Sequence, residues 1–211
     1  MTRTRIKICG LTREADVADA IAAGADALGF VLYEGSPRHV TLARACALAR
    51  RLPPFVTPVL LFVNASPQEL SQAVQALPQA LLQFHGDESP EQCEAVARPY
   101  LRAARITPQV DLLDFARRFH SAQALLLDAH VEAYGGGGKV FDWSLIPPGV
   151  RLPVVLSGGL NPANVTDGVS LVRPWAVDVS SGVELSKGVK SAELMRRFCN
   201  AVREADDRLG A

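Results

Sequence analysis

The chain has 211 residues, of which 48% are hydrophobic, and its 22 lysines and arginines balance 22 aspartates and glutamates. This composition predicts one large domain or two small ones with a sizeable apolar core. The formal net charge of zero argues against a nucleic-acid partner, and the apolar runs are too short for a membrane span or a signal segment.

Short apolar runs recur along the chain and predict buried β-strands, because they are rich in β-branched residues and too short for helices. The first strand, Arg5–Cys9, alternates polar and apolar residues and ends at Gly10. Seven further strands are predicted at 27–32, 57–63, 81–85, 101–106, 124–128, 154–156 and 176–179.

Helix-start signals lie between these strands. The predicted N-caps are Thr12, Thr41, Ser66, Ser89 and Asn161, and the last three precede a proline at the first helical position. The helix capped by Thr12 is expected to run to Ala23 and the next to end near Arg51. Further helices are predicted at 111–119 and 191–205, with at most a short one at 142–146.

Strict alternation of strands and helices predicts a parallel sheet. Eight such units favour a closed (β/α)₈ TIM barrel over an open doubly wound sheet. The chain is short for a barrel, so insertions must be few, and residues 1–211 are expected to form a single catalytic domain.

Active sites of such barrels lie at the carboxyl ends of the strands. Polar residues stand at most of these predicted strand ends: Lys7, Cys9, Gln83, His85, Arg105, Asp128, Ser157, Asp178, Ser180 and Ser181. We therefore expect them to converge on one mouth of the barrel.

A phosphate site is predicted in the loops after the seventh and eighth strands. Ser157-Gly158-Gly159 follows the seventh strand and precedes a helix start, so backbone N–H groups and the helix dipole can meet an anion there. An ordinary turn explains this stretch equally well on its own. A second loop of the same kind, Ser180-Ser181-Gly182, follows the eighth strand, which favours phosphate binding.

Cys9 is a candidate general base. Alternation places Lys7 and Cys9 on the inner face of the first strand and Ile6 and Ile8 on the outer face. The ammonium of Lys7 is expected to bring the pKa of Cys9 below the usual value of about 8.5. The alternative is a buried structural thiol, which is the interpretation retained for Cys46, Cys93 and Cys199.

Asp128 is a candidate general acid, because desolvation at the end of the apolar run Leu125–Leu127 favours its protonated form. The alternative is a capping or turn aspartate, and Asp178 shares this ambiguity, although it is expected to orient lysines or sugar hydroxyls. Arg38 can bind a carboxylate or phosphate, or be a solvated surface residue. His85 can hydrogen-bond substrate or a neighbouring group.

The remaining histidines and the cysteines predict no metal site. His39, His120 and His130 lack metal-ligand spacing, and the four scattered cysteines form no Cys-x-x-Cys pair, as expected of reduced thiols in the cytoplasm. The glycine run Gly135–Lys139 lacks the spacing of a Walker loop and is interpreted as a mobile flap over the mouth, with Lys139 near an anion.

These motifs together resemble the phosphoribosylanthranilate isomerase family of tryptophan biosynthesis over nearly the whole chain. The resemblance rests on Lys7-Ile-Cys9-Gly10-Leu-Thr12, Gly24–Phe30, Ser36-Pro37-Arg38, Phe62-Val-Asn64, Gln83–Gly86, Leu127-Asp128, Tyr134–Asp142 with Trp143, Ser157–Pro162 and Asp178–Glu184. Gly137 and Ala129 depart from the family pattern, where residues with a hydroxyl are usual, and both changes are expected to loosen the flap.

The resemblance implies an Amadori rearrangement of N-(5-phosphoribosyl)anthranilate without metal or organic cofactor. It implies Cys9 as the base at ribose C2′, Asp128 as the acid at the ring oxygen, and Arg38 on the anthranilate carboxylate. Gly158, Gly159, Ser180, Ser181 and Gly182 would hold the phosphate, and Lys7, His85 and Asp178 are expected to contact the substrate.

Three alternatives remain open from sequence. Indole-glycerol-phosphate synthase would need a catalytic lysine–glutamate pair, and a histidine-pathway sugar isomerase would need aspartate in place of Cys9. A barrel that merely binds a phosphorylated ligand would leave Cys9 and Asp128 unexplained. The chain is expected to be a monomer or a homodimer.

Overall fold

A computed structural model describes residues 3–129 and 140–210. Its eight parallel strands form a closed barrel in sequence order, with the last strand paired to the first. The strands are β1 (Arg5–Cys9), β2 (Ala27–Val31), β3 (Thr57–Phe62), β4 (Leu81–Phe84), β5 (Tyr100–Ile106), β6 (Ala124–Ala129), β7 (Val154–Leu156) and β8 (Ala176–Val179). The predicted barrel is confirmed, and every predicted strand is found within one residue of its expected ends.

Seven α-helices cover the barrel in the described residues. They are α1 (Glu14–Ala23), α2 (Leu42–Ala49), α3 (Pro67–Ala76), α4 (Pro90–Glu94), α5 (Leu112–Arg118), α6 (Val165–Val172) and α7 (Ala192–Leu209). Capping boxes at Ser66 and Ser89 start α3 and α4, and Thr41 caps α2, as predicted.

Two predicted N-caps are wrong. The N-cap of α1 is Arg13, because the hydroxyl of Thr12 donates instead to the carbonyl of Gly188 at 2.7 Å. Helix α6 begins at Val165 rather than at Pro162, since the side chain of Asn161 accepts from the N–H of Ala163 at 2.8 Å and forms a turn before the helix.

The segment after β8 contains a hairpin that the sequence patterns did not predict. A 3₁₀ turn, Ser181–Val183, leads into the antiparallel strands β9 (Glu184–Ser186) and β10 (Val189–Lys190). After β6, Trp143–Leu145 forms a 3₁₀ turn within the predicted short helix. The glycine run Gly135–Lys139 and His130 lie outside the described residues.

The core has two layers, one between strands and helices and one inside the barrel. Ile6 and Ile8 belong to the outer layer, where each buried side chain contributes roughly 1.5–3 kcal/mol. The inside is filled by Val59, Leu101, Ala103, Ala124, Leu126, Val155 and Ala176. Cys9 packs nearer the mouth with Val31 and Leu61, which confirms that β1 turns this cysteine inward.

Among the described residues, no helix combines the length and apolar character needed to cross a membrane.

Candidate active site

Cys9 and Lys7 lie against Gly29, the residue that β2 places opposite Cys9. A Cβ atom at position 29 would come within 2.7 Å of Cys9 Sγ and 3.2 Å of Lys7 Nζ. Glycine therefore makes the space in which thiol and ammonium share the inner face of the barrel. Both residues are buried, with exposed fractions of 4%.

Asp178 on β8 holds Lys7. Its Oδ1 accepts from Lys7 Nζ at 2.7 Å, and its Oδ2 accepts from the hydroxyl of Ser157 at 3.2 Å. Burial alone would lower the pKa of Lys7, but the charges of Asp178 and Cys9 oppose this and the net direction is upward. Lys7 is therefore a buried cation, and Asp178 orients a lysine as the sequence suggested.

The predicted low pKa of Cys9 is wrong. Burial raises the pKa of this thiol, Lys7 lowers it, Asp178 raises it again, and the net direction is upward. The ammonium two residues away is visible in the sequence, whereas the desolvation and the aspartate that compensates that ammonium depend on the fold. A thiol with a raised pKa is mostly protonated in the free protein, and its thiolate is a stronger base.

Asp128 ends β6 with both carboxylate oxygens engaged. Its Oδ2 lies 3.1 Å from His85 Nε2, and its Oδ1 accepts from the N–H of Ala129 at 2.9 Å. On the far side of the ring, His85 Nδ1 lies 3.0 Å from Gln83 Nε2. His85 thus contacts a neighbouring group, one of the two possibilities left open, and links Asp128 to β4.

The two predicted phosphate loops lie side by side. Gly158 and Gly159 both have positive φ values, 77° and 66°, a conformation that other residues adopt only at a cost. A Cβ atom at Gly182 would come within 1.9 Å of the carbonyl oxygen of Leu160. The close approach of the loops after β7 and β8 therefore requires glycine at 182.

Lys190, which sequence reasoning did not assign, supplies a cation beside these loops. Its Nζ donates to the carbonyl and hydroxyl oxygens of Ser180 at 3.0 and 3.3 Å and pairs with Glu184 at 2.8 Å. Burial lowers the pKa of Lys190 although Glu184 opposes it. The signal in the sequence was the Lys187-Gly188 turn, which folds Lys190 back over Glu184.

Arg38 is a buried, paired side chain rather than a solvated surface residue. Its Nε and Nη2 donate to the two carboxylate oxygens of Glu184 at 2.8 and 2.7 Å. Burial would raise the pKa of Glu184, but Arg38 and Lys190 lower it below its ordinary value. The guanidinium of Arg38 therefore binds a carboxylate, and in this structure that carboxylate is the side chain of Glu184.

Among the residues that the structure describes, the charges around Cys9 do not balance. Asp178 and Glu184 face three cations, namely Lys7, Arg38 and Lys190. The surplus positive charge at the mouth favours an anionic ligand. Within 3–129 and 140–210, no cluster of three or more histidine, cysteine, aspartate or glutamate side chains could hold a metal ion.

Comparison with known proteins identifies relatives of this barrel. The family model of N-(5′-phosphoribosyl)anthranilate (PRA) isomerase matches residues 6–201. The N-(5′-phosphoribosyl)anthranilate isomerase of Methylibium petroleiphilum is 72% identical over 209 residues, which cover 99% of this chain and 98% of that relative.

Two solved structures are also similar over almost their full length. Monomers of the dimeric phosphoribosylanthranilate isomerase from Thermotoga maritima are 34% identical with a TM-score of 0.85, covering 95% of this chain and 99% of theirs. A phosphoribosylanthranilate isomerase in complex with reduced 1-(o-carboxyphenylamino)-1-deoxyribulose 5-phosphate is 35% identical with a TM-score of 0.85 and the same coverage.

Proposed function

This chain belongs to the N-(5′-phosphoribosyl)anthranilate isomerase family, and from that premise we propose how its residues perform the reaction. The protein is an isomerase of tryptophan biosynthesis. It converts N-(5-phosphoribosyl)anthranilate to 1-(2-carboxyphenylamino)-1-deoxyribulose 5-phosphate by an Amadori rearrangement. The observation that carries the residue assignment is the strand order β6-β7-β8-β1, because the phosphate loops of β7 and β8 lie between Asp128 and Cys9.

Asp128 acts first, as the general acid. It gives its proton to the furanose ring oxygen, the bond from that oxygen to C1′ breaks, and the anthranilate nitrogen forms a double bond to C1′. The product of this step is an open-chain Schiff base. The place of Asp128 at the end of β6, buried and with Oδ2 3.1 Å from His85 Nε2, supports the assignment.

Cys9 then acts as the general base. Its thiolate takes the proton from C2′, and the electron pair of that C–H bond forms the enolamine, which tautomerises to the ketone. The raised pKa of Cys9 supports this role, since a base of higher pKa removes a carbon-bound proton more readily once it is deprotonated.

The other site residues hold the substrate. Arg38 exchanges part of its pairing with Glu184 for the anthranilate carboxylate, and Lys190 keeps Glu184 paired. The phosphate lies on the backbone and hydroxyl groups of Gly158, Gly159, Ser180, Ser181 and Gly182. Lys7, Asp178 and His85 contact the ribose, since each adjoins Cys9 or Asp128.

Acid and base suffice for this reaction, because it moves protons and rearranges bonds within one molecule. The whole chain, residues 1–211, works as one catalytic domain on a phosphorylated small molecule, without a nucleic-acid or membrane partner. Its four cysteines, all free, support a cytoplasmic location, where thiols stay reduced.

The chain assembles as a homodimer through the amino-terminal end of the barrel. Phe55, in the loop before β3, is 99% exposed. At the same end lies a cavity of about 590 Å³ whose lining includes Leu152, Pro153 and Trp175. If the Phe55 ring of each copy entered the cavity of the other copy, both rings and both cavities would be buried. The Thermotoga relative is dimeric. Sedimentation should give twice the chain mass, and Phe55→Ser should give the monomer.

The activity is tested with the purified full chain and phosphoribosylanthranilate. The fluorescence of the anthranilate group should fall at a rate proportional to protein concentration, at the same rate with EDTA, and the product should have the mass of the substrate. Fluorescence that does not change, or a product of different mass, would exclude this isomerisation.

A further inference from the structure

Lys190 on β10 has a completely buried side chain, 0% exposed, whose ammonium is fully used. Its Nζ donates to the carbonyl oxygen of Ser180 at 3.0 Å, to the hydroxyl oxygen of the same residue at 3.3 Å and to Glu184 Oε1 at 2.8 Å. An ammonium carries three N–H groups. A ligand that bound Lys190 directly would therefore have to displace one of these three acceptors.

The hairpin of β9 and β10 holds Lys190 in this position. The N–H of Lys190 donates to Asp16 Oδ2 at 3.2 Å, which ties β10 to α1. At the turn, the hydroxyl of Thr12 donates to the carbonyl of Gly188 at 2.7 Å, and the N–H of Gly188 donates to Glu184 Oε1 at 3.2 Å. Because these contacts are all within the chain, the fold itself places the ammonium beside the loop after β8.

The hydroxyl of Ser180 is an acceptor toward Lys190 and an available donor on its other side. A serine hydroxyl has two lone pairs and one hydrogen. Since a hydrogen turned toward Lys190 Nζ would meet another donor, the hydroxyl hydrogen points away from the ammonium. Within the described residues this hydroxyl donates to no protein atom, and Ser180 is partly exposed. Lys190 therefore sets the direction in which the hydroxyl can donate.

The same ammonium also fixes the backbone that carries this hydroxyl. The carbonyl oxygen of Ser180 accepts from Lys190 Nζ at 3.0 Å and from the N–H of Val183 at 3.4 Å. A hydroxyl that accepts a hydrogen bond from a cation is also a stronger donor, because neighbouring hydrogen bonds polarise each other. The position of the hydroxyl and its strength as a donor thus both depend on Lys190.

We propose that Lys190 is a positioning residue for the phosphate of the substrate: it does not bind the phosphate itself but holds the Ser180 hydroxyl as a donor to a phosphate oxygen. This inference rests on the proposed function, in which the loop after β8 binds the phosphate. The alternative is that Lys190 attracts the phosphate by its charge alone. Glu184 lies 2.8 Å from Nζ and compensates part of that charge, which favours action through Ser180.

The experiment measures the binding of inorganic phosphate to the full-length chain, through the amide shifts of Gly158 and Gly159 in ¹⁵N-labelled protein. Ser180→Ala should raise the dissociation constant about tenfold in the wild-type background, because a hydrogen bond to a charged group is lost. In a Lys190→Met background the hydroxyl is no longer held, so the same substitution should raise it by at most about threefold. Lys190→Met alone should weaken binding about as much as Ser180→Ala.

Ser181→Ala and Lys187→Met are the matched controls. Ser181 is in the same loop, but Lys190 Nζ donates only to Ser180 and Glu184 among the described residues. Ser181→Ala should therefore raise the dissociation constant by the same factor in both backgrounds. Lys187 is exposed in the turn of the same hairpin. Lys187→Met removes one positive charge there and should change the dissociation constant less than about twofold.

Two results of this cycle would overturn the proposal. An equal loss from Ser180→Ala in both backgrounds would show that Lys190 acts by its charge alone. No loss from Ser180→Ala in either background would show that this hydroxyl is not a phosphate donor. Phosphate binding is measured without turnover, so either result is distinguishable from failure of the proposed function, which the isomerase activity of the wild type tests.

A crystal structure of the wild-type protein at a phosphate concentration far above the dissociation constant tests the proposal without any substitution, even if Lys190→Met does not fold. Ser180 Oγ should lie within about 3.0 Å of a phosphate oxygen. Lys190 Nζ should keep its contacts with Ser180 and lie more than about 3.5 Å from the phosphate. A phosphate oxygen within hydrogen-bond distance of Lys190 Nζ would overturn the proposal.

Discussion

Lys7 Nζ lies 2.7 Å from Asp178 Oδ1, across the join at which β8 closes the barrel on β1. The two side chains are only 5% and 6% exposed, so little water screens the pair. A buried charge that loses its partner typically costs about 3–5 kcal/mol. The pair therefore both closes the barrel and fixes the ammonium that adjoins Cys9.

Removing one half of this pair should destabilise the protein more than removing both. We expect Asp178→Leu to lower the free energy of unfolding by about 3–5 kcal/mol, because Lys7 stays buried without its partner. The double variant Lys7→Met, Asp178→Leu should recover most of that loss without recovering activity. Urea unfolding measures the free energy of unfolding of the single and the double variant. Equal losses of this free energy in the two variants would show that the unpaired charge is not the cause.

Substitution at Gly158 should weaken phosphate binding. Gly158 has a φ of 77°, and an added Cβ would come within 2.4 Å of the nitrogen of Ala129, so Gly158→Ala must displace the loop. We expect KM to rise at least tenfold, equivalent to about 1.4 kcal/mol, with weaker inhibition by inorganic phosphate.

Gly149 is the matched control for this prediction. Its φ is 93°, but an added Cβ would meet nothing within 4 Å. Gly149→Ala should cost about 1 kcal/mol of stability from backbone strain and leave KM unchanged. If both alanine variants had the same KM, the loop after β7 would not be the phosphate site.

Arg38→Lys should raise KM with little effect on kcat. Lysine keeps the charge but cannot make the two parallel hydrogen bonds of the guanidinium, and a hydrogen bond to a charged group is worth roughly 1.5–3 kcal/mol. A loss of roughly 2 kcal/mol of binding free energy corresponds to a rise in KM of about 30-fold, which is the change we expect. Arg44→Lys, which changes a surface pair with Glu14, should behave like wild type, and similar KM values for the two variants would contradict the role of Arg38.

Alkylation of Cys9 should report its raised pKa. Because burial keeps the thiol protonated at neutral pH, the thiolate fraction, and with it the rate of reaction with iodoacetamide, should rise about tenfold per pH unit up to about pH 8.5. Mass spectrometry of the Cys9 peptide separates this reaction from that of Cys93 and Cys199, whose pKa values burial raises to about 12 and about 11. A rate that levels off below pH 8 would contradict the raised value.

The sequence predicted what local patterns determine. The alternation along Arg5–Cys9 is enough to predict that Cys9 faces the inside of the barrel. Eight strand–helix units are enough to predict the barrel itself. The pairing of Arg38 with Glu184 was missed because 146 residues separate them and an unpredicted hairpin brings them together. The pKa of Cys9 was mispredicted for a similar reason, since desolvation depends on the whole fold.

The proposed catalytic pair is tested most directly by comparing wild type, Cys9→Ala and Asp128→Asn in the fluorescence assay with phosphoribosylanthranilate. A general acid or base contributes about 10²–10⁴-fold, so each variant should lose activity by that factor while its thermal unfolding stays near that of wild type. A variant that keeps a rate within about threefold of wild type, equivalent to about 0.7 kcal/mol, would contradict the assignment of that residue.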